Sequence, residues 1–324
     1  MDRHLQIGNI SLLIRLPSGE IIRHFDQQWK PWLVPEAALR PAVRIVVKRT
    51  KRGMRELLRT FLRKRSLSFS TSSSSLTRMT QDPRKGWVAE SLAGSRLSPH
   101  QVYFGVVEPS LHHLLQRMNT FALHGAGVAK QDASVLILGE SGAGKSTTAA
   151  LFLLHGFRVV SDDDVIVSLR GTKIKALGSE EGISIYRESL DLFSDFKALD
   201  GRRWVRRGKR IKKMLYPREE ENGVRRPESA SVGLVIFPEV RSDAPTRLIR
   251  LNKRQALIQL LRQRPNTRGF YLQDDFAAGR LFRFYEALST QADCYRLILG
   301  KDHDGIRKKI RQLVQTINLN GGGI

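Results

Sequence analysis

The chain has 324 residues, 41% of them apolar, which is enough for a hydrophobic core in one large or two smaller domains. Its apolar stretches are too short to span a bilayer, and its one cysteine, Cys294, excludes an internal disulfide or a cysteine metal cluster. With 55 Lys and Arg against 31 Asp and Glu, the net charge of +24 attracts polyanions. The lone cysteine and an N-terminus without a continuous apolar segment predict a cytoplasmic protein.

Residues 1–65 are predicted to form a small mixed N-terminal module. Alternating apolar residues after Gln6 indicate a strand, and Pro17-Ser18-Gly19 indicates a hairpin turn. Residues 43–47 predict a second strand, and residues 50–65 predict a basic amphipathic helix that packs on the strands or binds a membrane or partner. Residues 66–98 are rich in Ser and Thr, which predicts a linker or mobile loop.

Residues 99–320 are predicted to form an α/β domain, because strands and helices alternate along them. A helix is expected to begin near Ser110 as its N-cap, and the next strand and helix, at 134–138 and 145–155, flank a glycine-rich loop. Further strands are expected at 157–160, 232–237 and 295–299, and further helices at 253–263, 276–289 and 305–317.

The glycine-rich loop matches the pattern G-x-x-x-x-G-K-[ST] at every fixed position. Its glycines let successive backbone N–H groups point at phosphates, and the following helix adds a positive N-terminus. Lys145 would reach the β and γ phosphates of ATP, and Ser146 would ligate Mg²⁺. The predicted nucleotide-binding residues are Gly139, Glu140, Ser141, Gly142, Ala143, Gly144, Lys145, Ser146 and Thr147.

Three consecutive aspartates, Asp162, Asp163 and Asp164, follow the strand after this helix. Two neighbouring carboxylates can divide the tasks of holding a metal and accepting the proton of a hydroxyl. His124, 15 residues before Gly139, could approach the same site from an adjacent strand. An acidic turn that only caps the sheet, and a structural histidine, are the alternatives.

Together, these elements resemble the catalytic core of the HPr kinase/phosphorylase family, whose fold is related to that of phosphoenolpyruvate carboxykinase. His124-Gly125, the loop at 139–146 and the strand ending in Asp162-Asp163 match the family's motifs, over residues 111–167. The resemblance implies a P-loop nucleotide-binding domain and an ATP-dependent serine kinase acting on a protein or peptide. It also implies Asp162 as general base, Asp163 as a Mg²⁺ ligand, His124 beside the base, and a homo-oligomer.

Two other functions stay open: a kinase for a small hydroxylated metabolite, and a nucleotide-dependent regulator that binds a polyanion or partner through its basic face. Residues 202–213 carry eight positive charges and no acid. They could form an arm that closes over ATP or grips an acidic peptide, a nucleic-acid tether, or a solvated loop. Contacts with nucleic acid or an anionic membrane are the less favoured interpretations.

Overall fold

The computed structural model of the chain describes residues 1–17, 19–35, 43–50, 67–72, 75–82, 86–178, 182–207, 210–216, 229–263 and 275–320. It is a mixed α/β protein with sheets of seven, eight and three strands. The chain divides into two units, Met1–Asn119 with Thr267–Arg280, and Thr120–Asn266 with Leu281–Ile324. Within these described ranges, no helix is both long and apolar enough to cross a membrane.

The first unit contains the seven-stranded sheet, in the order β3-β1-β2-β4-β7-β6-β5. Its strands are β1 (Asp2–Ile7), β2 (Ile10–Arg15), β3 (Leu33–Val34), β4 (Val43–Thr50), β5 (Leu67–Ser72), β6 (Ser75–Asp82) and β7 (Gly86–Gly94). Its helical segments are α1 (Gly19–Trp29), a 3-10 turn (Lys30–Trp32), α2 (Pro99–Val102), a π-helical segment (Tyr103–Val107) and α3 (Glu108–Arg117). The strand predicted at 43–47 is present as β4, whereas the predicted basic helix lies, from residue 51 onward, outside the described residues.

The hairpin at the N-terminus turns earlier than predicted. Gly8, at φ +58°, lies in the turn between β1 and β2, and α1 begins two residues after Pro17. The prediction of a hairpin turn at 17–19 is wrong because the apolar residues that follow have helical spacing. Those buried on α1 are Ile21, Ile22, Phe25 and Trp29.

Residues 66–98, predicted as a linker or mobile loop, instead supply β5, β6 and β7. The hydroxyls of Thr77 and Ser91 are buried and 2.8 Å apart, and each lies 3.4 Å from the Ser110 hydroxyl. Hydroxyl groups that satisfy one another can be buried at low cost, so a Ser/Thr-rich composition is compatible with a strand. Ser110 lies inside α3, which begins at Glu108, so the prediction of Ser110 as the N-cap is wrong.

The second unit contains the eight-stranded sheet and a separate three-stranded sheet. The large sheet comprises β8 (Thr120–Lys130), β9 (Ala133–Leu138), β10 (Arg158–Ser161), β11 (Asp164–Arg170), β12 (Lys173–Leu177), β16 (Ser229–Val240), β17 (Arg247–Arg250) and β18 (Asp293–Leu299). The small sheet comprises β13 (Ile183–Tyr186), β14 (Asp200–Arg207) and β15 (Arg210–Tyr216). The helical segments are α4 (Lys145–Leu153), α5 (Arg187–Leu192), a 3-10 turn (Ser194–Ala198), α6 (Lys253–Arg262) and α8 (His303–Asn320). A further helix, α7 (Asp275–Gln291), belongs to the first unit up to Arg280 and to the second from Leu281.

Parallel pairing in the eight-stranded sheet is found at its centre, where β9 and β18 lie on either side of β16. The other strand pairs of this sheet are antiparallel because tight turns join several of them, such as the turn at Gly171, φ +56°, between β11 and β12. The interpretation of simple strand and helix alternation therefore holds only for the centre. The helix α4 packs into the core through Phe152, whose ring meets the ring of Phe157 edge to face with 5.0 Å between the ring centres.

The basic segment at 202–213 falls within the β14–β15 hairpin, which pairs with β13 through β15. In 202–207 and 210–213, the parts that the structure describes, the backbone is paired as strands, so the interpretation as a loop is wrong there, while those as an arm or a nucleic-acid tether stay predictions. Backbone hydrogen bonds to β13 hold β15 beside the hydrophobic core of the second unit.

Candidate active site

The glycine-rich loop connects the buried centre of the sheet to a helix. It follows β9, which lies between β8 and β16, and it ends where α4 begins. Gly142 and Gly144 adopt φ values of +85° and +95°, a region that only glycine enters without a steric penalty. A Cβ atom on Gly144 would also lie 2.6 Å from Leu299 Cδ1. The curl of the loop therefore requires glycine at this position.

Lys145 and Ser146, the first residues of α4, both line a cavity beside the loop. Lys145 Nζ donates hydrogen bonds to the carbonyl oxygens of Gly139 and Glu140, both at 2.8 Å. Burial lowers the pKa of Lys145, and the charges of the nearby aspartates oppose this shift. Ser146 Oγ donates to an oxygen of Asp162 at 3.3 Å, which leaves lone pairs of the hydroxyl oxygen for a cation.

Asp162, directly after β10, is only 4% exposed. Its Oδ1 accepts the hydrogen bond from Ser146, and its Oδ2 accepts one from the backbone N–H of Ser184 at 2.7 Å. Burial, together with the charge of Asp163, raises the pKa of Asp162, and the bond from Ser184 opposes the shift. This carboxylate thus joins Ser146 to β13.

Replacing Asp162 by Asn should make the free energy of unfolding less dependent on pH. The folded protein holds the Asp162 proton more tightly than the unfolded chain, so ionisation above the ordinary pKa of 3.8 destabilises the fold. Asn has no proton to lose, so the stability of the variant relative to wild type should increase as pH rises above 3.8. Urea unfolding over a pH series, without nucleotide or Mg²⁺, measures this difference.

The exposed Asp132 provides the matched control, since Asp132→Asn removes a carboxylate from the same unit without removing a buried one. A stability difference for Asp162→Asn that stays constant over the pH series, or that matches the control, would contradict the assignment of a raised pKa.

Asp163, between β10 and β11, lines the cavity and has φ +83°, which is rare for a residue other than glycine. Its carbonyl oxygen accepts a hydrogen bond from the backbone N–H of Gly125 at 2.9 Å. A Cβ on Gly125 would lie 2.7 Å from the carbonyl oxygen of Ile137, so the glycine after His124 lets β8 lie close to β9. Strained backbone of this kind concentrates at functional sites.

His124, on β8, is opposite Asp164 of β11 in the strand register. Its Nδ1 lies 3.9 Å from Asp164 Oδ1, and its side chain lines the same cavity as Asp163. The resemblance implied a place beside Asp162, whereas the structure pairs the histidine with the third aspartate of the cluster. Thr147, also in the cavity wall, donates a hydrogen bond to Ser189 Oγ at 3.2 Å.

The cavity has a volume of about 400 Å³ and a lining of two chemical kinds. The polar lining includes His124, Lys145, Ser146, Asp163 and Lys212. The apolar lining includes Leu192, Phe193, Val240, Leu299 and Ile306. Leu192 and Val240 are 50% and 56% exposed, so part of the apolar lining is open to solvent. The arrangement suits a ligand that has both anionic and apolar parts.

The predicted site residues that line the cavity are His124, Ser141, Gly142, Gly144, Lys145, Ser146, Thr147 and Asp163, whereas Gly139, Glu140, Ala143 and Asp162 are not part of its lining. Ser184, which holds Asp162, and the residues of the apolar lining belong to no local motif that a sequence could reveal. Lys212 lies within the basic segment 202–213, but eight similar charges gave no reason to single it out.

Within the described residues, no group of three or more His, Cys, Asp and Glu side chains is arranged to hold a metal ion. Mg²⁺ in phosphoryl-transfer sites is usually held by one or two protein ligands together with substrate phosphates. Ser146 and the adjacent carboxylates would satisfy that smaller requirement.

Comparisons with known proteins add little beyond this geometry. No family model and no curated protein matches the chain. Among solved structures, it is similar to the Hpr(Ser) kinase/phosphatase from Coxiella burnetii, with a TM-score of 0.29 and 13% sequence identity, over 62% of this chain and 99% of that one.

Proposed function

We propose that the chain is an ATP-dependent kinase of the HPr kinase type, which transfers the γ-phosphate to a serine hydroxyl of a protein or peptide. One observation carries this proposal: Lys145, Ser146 and Asp163 line one cavity together with apolar side chains. A loop with backbone N–H groups around a lysine suits phosphates, and an apolar slot suits a base.

The polar lining fits a nucleotide phosphate chain with Mg²⁺. Lys145 would neutralise the phosphates, and Ser146 would offer its oxygen to Mg²⁺ while its hydroxyl hydrogen stays directed at Asp162. Mg²⁺ held there would supply charge stabilisation to the phosphates. The apolar side chains of Leu192, Val240 and Leu299, which line the same cavity, would pack against the adenine.

The two aspartates would divide the work in the reverse of the order that the resemblance implies. Asp162 is buried and already accepts two hydrogen bonds, so it would position Ser146 for the metal. Asp163 lines the cavity, so it would accept the proton of the serine hydroxyl as that oxygen bonds to the γ-phosphorus. The bond from the γ-phosphorus to the bridging oxygen breaks, and ADP leaves with that oxygen. His124, beside Asp164, would border the acceptor side.

The test uses ATP labelled in the γ-phosphate, Mg²⁺, and serine-containing peptides and proteins as acceptors. Wild type should transfer label to a serine. Lys145→Ala should weaken ATP binding about tenfold and slow transfer about 10- to 100-fold, because it removes a charge that stabilises the transferring phosphoryl group. Lys253→Ala, an exposed lysine at the start of α6, is the matched control and should behave as wild type.

Label found only on small hydroxylated metabolites would show that the acceptor is a metabolite and not a protein or peptide. ATP binding without any transfer, together with salt-sensitive binding of polyanions, would overturn the kinase proposal in favour of a regulator.

A further inference from the structure

One lysine of the basic hairpin lies inside the candidate active site. Lys212, on β15, lines the cavity and is 7% exposed. The strand register places it directly opposite Tyr186 of β13, and its Nζ lies over the Tyr186 ring, 4.7 Å from the ring centre. The tyrosine face and the nearby carboxylates compensate part of the cost of burying an ammonium group.

Lys212 is also electrostatically linked to the groups at the loop. Burial lowers the pKa of Lys145 and the charge of Lys212 adds to this shift, whereas burial raises the pKa of Asp162 and the charge of Lys212 opposes that shift. Two ammonium groups from separate elements, α4 and β15, therefore face one cavity. Like charges held close together in a partly buried site repel, and the arrangement becomes favourable when a polyanion binds between them.

The neighbouring lysine provides a comparison within the same strand. Lys213 pairs with Ile185, and it does not line the cavity, although Ile185 does. Of these two successive lysines, Lys212 alone lines the cavity.

We infer that Lys212 contacts the γ-phosphate from a wall different from that of Lys145, and thereby makes the site prefer a nucleoside triphosphate to a diphosphate. This inference rests on the proposed kinase function. Lys212 would then be a catalytic residue, since its charge would act on the oxygens of the phosphoryl group during transfer. A cation supplied by a remote segment serves this purpose in other phosphoryl-transfer enzymes. Here the hairpin would supply it within the same chain.

The test compares binding of Mg²⁺–ATPγS and Mg²⁺–ADP to wild type and to three variants by calorimetry. Lys212→Met should raise the Kd of ATPγS about 10- to 100-fold and that of ADP less than about threefold, because a charge-assisted contact to the γ-phosphate is lost. Lys212→Arg should keep most of the preference. Lys213→Met, the matched control, should bind both ligands as wild type does. An unchanged ratio of the two Kd values in Lys212→Met would overturn the inference.

A second measurement uses the unsubstituted chain, so it decides the question even if Lys212→Met fails to fold. Acetylation of lysines by a small acylating reagent, followed by mass spectrometry, should show Lys212 protected more by Mg²⁺–ATPγS than by Mg²⁺–ADP. Equal labelling of Lys212 in both complexes would overturn the inference.

Failure of the inference can be distinguished from failure of the proposed function. If wild type transfers label to serine and Lys212→Met has the same kcat, the kinase function stands and the role of Lys212 is wrong. If wild type binds neither nucleotide, the proposed function is wrong, and the inference falls with it.

Discussion

Asp163→Asn is expected to slow phosphoryl transfer by about 10²- to 10⁴-fold at saturating Mg²⁺ and ATP, the usual effect of losing a general base. The amide cannot accept the hydroxyl proton, whereas the loop, Lys145 and the apolar lining of the cavity are left in place. Nucleotide affinity should therefore change by less than about threefold. Single-turnover transfer from labelled ATP measures the first quantity, and calorimetry with ADP measures the second.

Asp162→Asn is the matched comparison, because it makes the same chemical change at the adjacent residue. Its carboxylate positions Ser146, so this variant should need a higher Mg²⁺ concentration for half-maximal rate and should recover much of that rate at saturating Mg²⁺. The opposite pattern, a rate loss in Asp162→Asn that Mg²⁺ does not restore and a raised Mg²⁺ requirement in Asp163→Asn, would return the roles to those that the family resemblance implies.

Gly144→Ala is expected to cost about 2–4 kcal/mol of stability and to abolish measurable nucleotide binding at micromolar concentrations. An alanine must adopt φ +95°, and its Cβ meets Leu299 Cδ1 at 2.6 Å. Relief of either conflict moves the backbone N–H groups that the loop presents at the start of α4. Urea unfolding and calorimetric titration with Mg²⁺–ATPγS measure the two effects.

Gly142→Ala separates the two causes. Gly142 has a similar φ of +85° but no atom within 4 Å of an added Cβ, so only backbone strain, about 1–2 kcal/mol, is expected there. Leu299→Ala combined with Gly144→Ala should recover the part of the loss that comes from the contact, as a double-mutant cycle would show. Equal losses for Gly142→Ala and Gly144→Ala would show that the Leu299 contact does not matter.

The loop could be predicted because its residues are consecutive in the chain. A single stretch contains the glycines, Lys145 and Ser146, and the flanking apolar runs place it between a strand and a helix. The approach of His124 to the acidic cluster could be predicted as well, since β8 and β11 are neighbours along the sheet. Its partner could not, because the register that pairs it with Asp164 depends on the turns between the strands.

The remainder of the site depends on contacts between residues far apart in sequence. Ser184 donates to Asp162 from 22 positions away, and Lys212 reaches the cavity only because β15 pairs with β13. The Ser/Thr-rich composition of residues 66–98 gave a wrong prediction, since the buried hydroxyls of Thr77 and Ser91 hydrogen-bond to each other. In each case the deciding partner lies on another element.

The strand that carries the loop shows why the motif cannot be cut out of the protein. β9 is completed on one side by β16, and Ser134 on β9 donates a hydrogen bond to Ala230, 96 positions later. A fragment of residues 120–170 would contain the whole glycine-rich sequence and all three aspartates. It would nevertheless leave one edge of β9 unpaired and apolar, a surface that favours aggregation. Nucleotide binding is thus a property of the completed unit, and an excised motif would retain its sequence pattern without its chemistry.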